Sequence, residues 1–119
     1  MKTVEHKLLS EPGKMVKLPE ESISHANELL SMANSSKNMM DLLEKMEGLP
    51  YFKHMEYHMK VALATKADWI KKPRPERLTS TYRDKFYLQI GRYDLQNKYQ
   101  ELEEMIENID KALERIESR

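Results

Sequence analysis

Apolar residues near the end of the chain fall at Leu95, Tyr99, Leu102, Ile106, Ile109, Leu113 and Ile116, separated by alternating steps of four and three. That is a strict seven-residue repeat, and it predicts a helix with a narrow apolar seam. Such a seam must meet another helix, from this chain or from a second copy. The intervening positions are mostly charged or polar, and Glu107 and Lys111 form a favourably oriented i,i+4 pair. Leu102, Ile106, Ile109, Leu113 and Ile116 are the candidate dimerisation residues.

Upstream, Thr3-Val4-Glu5-His6-Lys7-Leu8 and Met15-Val16-Lys17-Leu18 alternate loosely around the turn-forming Glu11-Pro12-Gly13-Lys14. The pattern fits a short hairpin, or a flexible arm followed by one strand. Pro19-Glu20-Glu21 predicts a helix start, with proline at the first helical position and acids at the positive end of the dipole. Its inward face is Ile23, Ala26, Leu29, Leu30 and Ala33, and Asn34-Ser35-Ser36 ends it and caps the next helix. That second helix turns Met39, Met40, Leu43 and Met46 inward and stops at Gly48. Pro50 opens a third helix, with Phe52, Met55, Met59, Ala62, Leu63 and Ile70 inward, which Pro73 and Pro75 break. Thr79, Ser80 or Thr81 caps a fourth, which runs about 35 residues and roughly 50 Å to the C-terminus. Its early face, Tyr82, Phe86, Ile90 and Tyr93, differs in phase from the heptads, so an irregularity is expected near Gly91.

The resulting fold class is mainly α. A short N-terminal strand and two helices occupy residues 1–48. A long antiparallel helical hairpin and coiled-coil stalk occupy 49–119. The second arm of the hairpin outruns the first, and the overhang predicts a homodimer.

With 119 residues, 34% charged and 39% hydrophobic, the chain suits one modest, soluble helical protein. No cysteine is present, which excludes disulfides and thiolate metal sites and suits a cytoplasmic location. No secretory leader and no membrane span are expected. The zero net charge divides unevenly: −2 over residues 1–52, +6 over 53–92 and −4 over 93–119. Either the basic middle and the acidic end neutralise each other, or a basic face is left for a partner.

Little here reads as enzymatic. Glycine-rich phosphate loops are excluded by a total of three glycines, and the serines lie in no nucleophile motif. His54 and His58 stand at i,i+4 on the predicted third helix without carboxylates at ligand spacing, so a solvent-facing role outweighs a metal site. No metal, cofactor or catalytic residue is expected. The clustered methionines fit core filling better than a binding surface. The stretch Lys66, Trp69, Lys71, Lys72, Arg74, Arg77 and Arg83, with Tyr82 and Tyr87, mixes cations with aromatic rings, a combination that can hold phosphates and stack bases. Lys66, Lys71, Lys72, Arg74 and Arg77 are therefore a candidate basic patch. The competing reading is a helix corner neutralised by the acids of the last helix.

Residues 14–46 read GKMVKLPEESISHANELLSMANSSKNMMDLLEKM from Gly13 onward: a strand ending in Leu-Pro, acids opening a helix, a small-residue turn and a second amphipathic helix. This order resembles the ribbon-helix-helix family of DNA-binding proteins over about a third of the chain. The chain departs from the family's pattern at Lys14, where an apolar residue is usual, and at Asn34, where a glycine is usual. The resemblance implies an obligate dimer whose paired strands lie in the major groove. Met15 and Lys17 would face DNA, Val16 and Leu18 the core, and Ser35, Ser36 and Lys37 would hold a phosphate at the second helix. The function it implies is a DNA-binding repressor or an accessory factor of a mobile element. The alternative is a helical adaptor or inhibitor acting on another protein through its coiled coil.

Overall fold

The computed structural model describes residues 1–118. Strands β1 (Thr3–Lys7) and β2 (Met15–Pro19) precede six helices: α1 (Glu20–Ser35), α2 (Met39–Glu47), α3 (Pro50–Lys53), α4 (Tyr57–Lys71), α5 (Glu76–Lys98) and α6 (Glu103–Glu117). The strands pair antiparallel with each other, with Glu5 opposite Lys17 and Lys7 opposite Met15. Of the two arrangements open to the N-terminal segment, the hairpin is the one formed. Pro12 and Gly13 occupy the middle of its loop, Gly13 at φ +84°, and the Lys14 amide donates to Glu11 O at 3.0 Å. This is the type II pattern, proline before a glycine that accepts positive φ.

The hairpin's inner face seats Val16 and Leu18 on the helices, while Thr3, Glu5, Lys7, Met15 and Lys17 stay exposed. Leu18 meets α5 at Gly91, where an added Cβ would lie 2.6 Å from Leu18 Cδ2. The glycine thus serves a close strand–helix approach, and α5 runs through it without the expected irregularity.

Helix α1 opens at Pro19 and α2 ends at Gly48, as their residue types dictate. Two predicted helices are each broken once. The third divides at residues 54–56, with Phe52 buried before the turn and Met55 buried within it. The fourth starts earlier than expected, at Glu76 behind Pro75, so Thr81 lies inside it and its hydroxyl donates back to Arg77 O at 3.1 Å. It then breaks at residues 99–102, and the Leu102 amide donates to Tyr99 O.

That second break replaces the coiled-coil stalk. α6 packs on α5 and on β2, burying Ile109, Ala112 and Ile116, with Leu102, Ile106 and Leu113 partly covered. Part of the apolar seam is covered within the chain, and the overhang from which a dimer was expected is folded back onto α5 and β2. One hydrophobic core runs from Leu8 to Ile116 and draws on both sides of residue 48. No helix among the described residues is long and apolar enough to cross a membrane.

Candidate nucleic-acid interface

Pro73 and Pro75 force an exposed corner between α4 and α5, and every residue from 71 to 78 is exposed. Across this corner the rings and cations interleave. The Arg74 guanidinium lies 3.8 Å over the Trp69 ring, Trp69 is 5.0 Å from Tyr82, and Lys85 Nζ is 6.0 Å from the Tyr82 ring. One turn further along α5, Arg83 stands 5.5 Å over Tyr87, which also stacks on the His6 ring at 4.9 Å and meets Phe86 edge-on at 5.7 Å. Tyr87 is fixed by donating its hydroxyl proton to Asn27 Oδ1 at 2.6 Å.

Where these charges find partners bears on both sequence readings. Lys71 and Lys72 share Asp68 of their own helix, at 3.7 and 2.7 Å. Among the described residues, Lys66, Arg74, Arg77, Arg83 and Lys85 form no ion pair. The basic segment reaches α6 through Arg92, whose Nε lies 2.5 Å from Asp110 Oδ1. Glu107 pairs with Lys111 inside α6, and Glu11 of the hairpin loop takes Arg115. Among the described residues, ion pairs between the basic segment and α6 are confined to the Arg92 end of α5. At the corner the cations crowd one another: burial, and then the like charge of Lys85, hold the Lys66 ammonium below its usual range, against the pull of Glu117.

The segments suggested by the ribbon-helix-helix resemblance lie nearby but are differently occupied. Lys71 Nζ donates to Ala33 O at 2.7 Å, which brings the α1–α2 turn against the basic corner. Lys71 and Arg83 line one cleft of about 430 Å³ with Asn27, Ser31 and Asn34. In the turn, the Ser35 and Ser36 hydroxyls both donate to Met32 O, and the Ser36 amide donates to Ala33 O. The N-terminus of α2 already holds a carboxylate. Asn38 Oδ1 accepts from the Asp41 amide at 2.9 Å, and Asp41 Oδ2 accepts from the Lys37 amide at 3.0 Å, the contact that chiefly lowers the Asp41 titration. This reciprocal cap occupies the Lys37 and Asp41 amides, two of the donors a phosphate could use, and sets a carboxylate at the helix start. Met15 and Lys17 are exposed on the outer face of the hairpin, with Glu5 directly across from Lys17.

His54 ends α3 and His58 lies in the first turn of α4, so the break between them removes the shared helix face that their i,i+4 spacing suggested. No cluster of three or more potential metal ligands occurs among the described residues. Sequence reasoning missed two acids instead. Asp84 and Asp94 are both buried, on the same face of α5 as Leu88, Gly91 and Leu95.

His6 gives the hairpin a pH signature. Burial lowers its titration below the ordinary value, Asp84 opposes the shift and Arg83 reinforces it; among the described residues, buried Nε2 has no hydrogen-bond partner. The unfolded chain therefore binds more protons just below pH ~6.5. Stability attributable to His6 is complete above that pH and is lost as pH falls toward the folded value. Melting curves down to weakly acidic pH should show a smaller acid decline for His6→Phe, which keeps a ring against Tyr87. Parallel declines for variant and wild type would disprove the assignment.

No family model, curated protein or solved structure matches this chain.

Proposed function

We propose that the protein binds nucleic acid at the α4–α5 corner, with Arg74, Arg77, Arg83 and Lys85 contacting phosphates and Trp69 and Tyr82 offering faces for bases. The observation that carries this reading is a set of cations, Arg74 and Arg77 exposed and Arg83 and Lys85 half-buried, that form no ion pair among the described residues and surround a Trp–Tyr pair. Uncompensated cations attract a polyanion, and aromatic faces add stacking that tolerates any base.

The double variant Arg74→Glu, Arg77→Glu tests it. Both side chains are exposed and form no ion pair among the described residues, so the stability cost should be limited to the lost Arg74–Trp69 stacking, about 1 kcal/mol or less, and the protein should stay folded. Fluorescence anisotropy with labelled single-stranded and duplex DNA at two salt concentrations should show affinity falling on the order of tenfold or more, with a shallower salt dependence. Wild-type protein that fails to bind either DNA at low salt, or a variant that binds as well as wild type, would refute the proposal and favour the adaptor function.

A second reading rests on a separate observation, the solvent-facing outer side of the hairpin with Met15 and Lys17 on it. In a dimeric repressor or accessory factor this ribbon would enter the major groove. Lys17→Ala would then weaken duplex binding while the corner variant did not. Glu5, opposite Lys17, argues for the corner, because a carboxylate beside the reading cation repels phosphate.

A further inference from the structure

Beside the basic corner, α1, α4 and α5 border the cleft of about 430 Å³ that Lys71 and Arg83 share with Asn27, Ser31 and Asn34. Leu30 and Ile70 complete its lining, and none of these residues is acidic. Positions 27, 31 and 34 recur at helical spacing, so their amides and hydroxyl lie along one face of α1, and all three residues are exposed. Asn27 Oδ1 accepts from the Tyr87 hydroxyl at 2.6 Å, which orients that amide and leaves its Nδ2 to donate elsewhere. Lys71 Nζ gives one N–H to Ala33 O at 2.7 Å and lies 3.7 Å from Asp68, which binds Lys72 more closely at 2.7 Å. An ammonium has three donors, so one remains. Arg83 forms no ion pair among the described residues. The last carbonyls of α1 bring partial negative charge to this place, and the Lys71 bond to Ala33 O offsets it. Lys71, Lys72 and Arg83 against the single acid Asp68 leave an excess of two positive charges.

We propose that this cleft holds a phosphate monoester, the terminal phosphate of a nucleic-acid strand whose adjoining nucleotides lie on the α4–α5 corner. The lining selects the ligand. It combines two cations with neutral donors and contributes no carboxylate, so it suits an anion. The phosphates inside a strand are diesters with one charge each, whereas a terminal monoester carries about two at neutral pH, which matches the excess. A monoester also has three strong acceptor oxygens, enough to meet α1, α4 and α5 together. The Arg83 guanidinium can take two of them as a fork, and Lys71 serves as a point charge. The cleft falls within the range of small-molecule sites, about 300–1,000 Å³, so it has room for the sugar attached to the phosphate, with Leu30 and Ile70 as an apolar wall. It adjoins the corner at both ends of the chain's turn: Lys71 leads into Lys72 and Pro73, and Arg83 follows Tyr82. The choice of a strand end as the source rests on the proposed corner interface; the phosphate chemistry does not.

Competition against a labelled single-stranded DNA probe tests this on the full chain, with unlabelled strands phosphorylated at the 5′ end, at the 3′ end or at neither. One of the phosphorylated strands should compete about tenfold or more better than the bare strand, and which of them does so identifies the end that is held. Ser31→Asp sets a carboxylate on the cleft wall at an exposed position, so the fold should survive it. That variant should lose the preference for an end phosphate while its affinity for the bare strand changes far less. Adenosine 5′-monophosphate, with adenosine as control, separates a strand end from a free nucleotide: it should shift the amide signals of Ser31 and Asn34 saturably in NMR spectra, and adenosine should not. Such shifts without binding of any strand identify a free nucleotide as the source, so the corner interface fails and the phosphate site stands. Strands that compete alike with and without end phosphates overturn the proposal and leave the corner interface standing. A preference retained by folded Ser31→Asp protein overturns it as well. So does wild-type protein that binds no strand and shows no saturable shifts with the monophosphate at tens of millimolar, a result that also removes the corner interface.

Discussion

Placing a charge at Ile109 should cost the protein most of its margin of stability. Ile109 is fully buried where α6 packs on the rest of the chain. Ile109→Asp removes a large apolar side chain from that contact and puts an unpaired carboxylate in its place. The first loss alone is worth about 2–5 kcal/mol, and burying the polar group adds more unless α6 detaches. Against a total of roughly 5–15 kcal/mol for a domain, this should lower the melting temperature by well over 10 °C or unfold the chain. Ile106→Asp should cost less, because Ile106 is only partly buried. The pair also distinguishes an intrachain contact from a dimer seam. Packing within the chain makes the wild-type midpoint independent of protein concentration. A midpoint that rises with concentration, together with an Ile109→Asp protein that stays folded but becomes monomeric, would mean that α6 packs on a second copy.

The heptad spacing was legible, and it located the residues that α6 buries. What it could not supply was the turn before α6. Residues 99–102 are Tyr-Gln-Glu-Leu, with neither proline nor glycine, and by local propensity the helix continues. The break comes from tertiary packing: α6 folds back to bury Ile109, Ala112 and Ile116 against α5 and against β2, which lies far away in sequence. The break after α3 has the same character. By contrast Pro12-Gly13, Pro19, Gly48 and Pro73 each act through their own backbone chemistry, and the structure changes direction at each of them.

The same logic explains what was visible of the candidate sites. The mixture of cations and rings from Lys66 to Arg83 is a property of composition and could be read directly. Whether the acids of the last helix cover it depended on where α6 turns back, which the pattern did not encode. The buried acids left a signal that could have been used. Positions 84, 87, 88, 91, 94 and 95 share one face of α5, and two of them are aspartates within an otherwise apolar or small stripe. An acid in such a stripe must find donors, and for Asp84 those donors lie 74 and 75 residues away.

Asp84→Ala should therefore release the hairpin loop. The carboxylate is completely buried and accepts from the Leu9 amide at 3.0 Å, the Ser10 amide at 2.8 Å and the Ser10 hydroxyl. Hydrogen bonds to a charged group contribute about 1.5–3 kcal/mol each, but the loop can turn its freed amides to water, so a net loss of roughly 2–4 kcal/mol is expected. Asp84→Asn should fall between: its carbonyl can still accept, while its amide points donors at donors. Glu11 would still anchor the loop to Arg115 of α6, with Glu11 Oε2 3.1 Å from Arg115 Nε, so the hairpin should loosen at Leu9 and Ser10 before it detaches. Hydrogen exchange should then accelerate at those two amides in Asp84→Ala while β2 next to Leu18 stays protected, and unchanged protection at both would show that Asp84 does not hold the loop. DNA affinity measured on the same protein, well below its melting point, adds a functional reading. If the α4–α5 corner binds, affinity should be nearly unchanged, because Arg74 and Trp69 do not depend on the loop; a large loss would move the interface to the hairpin.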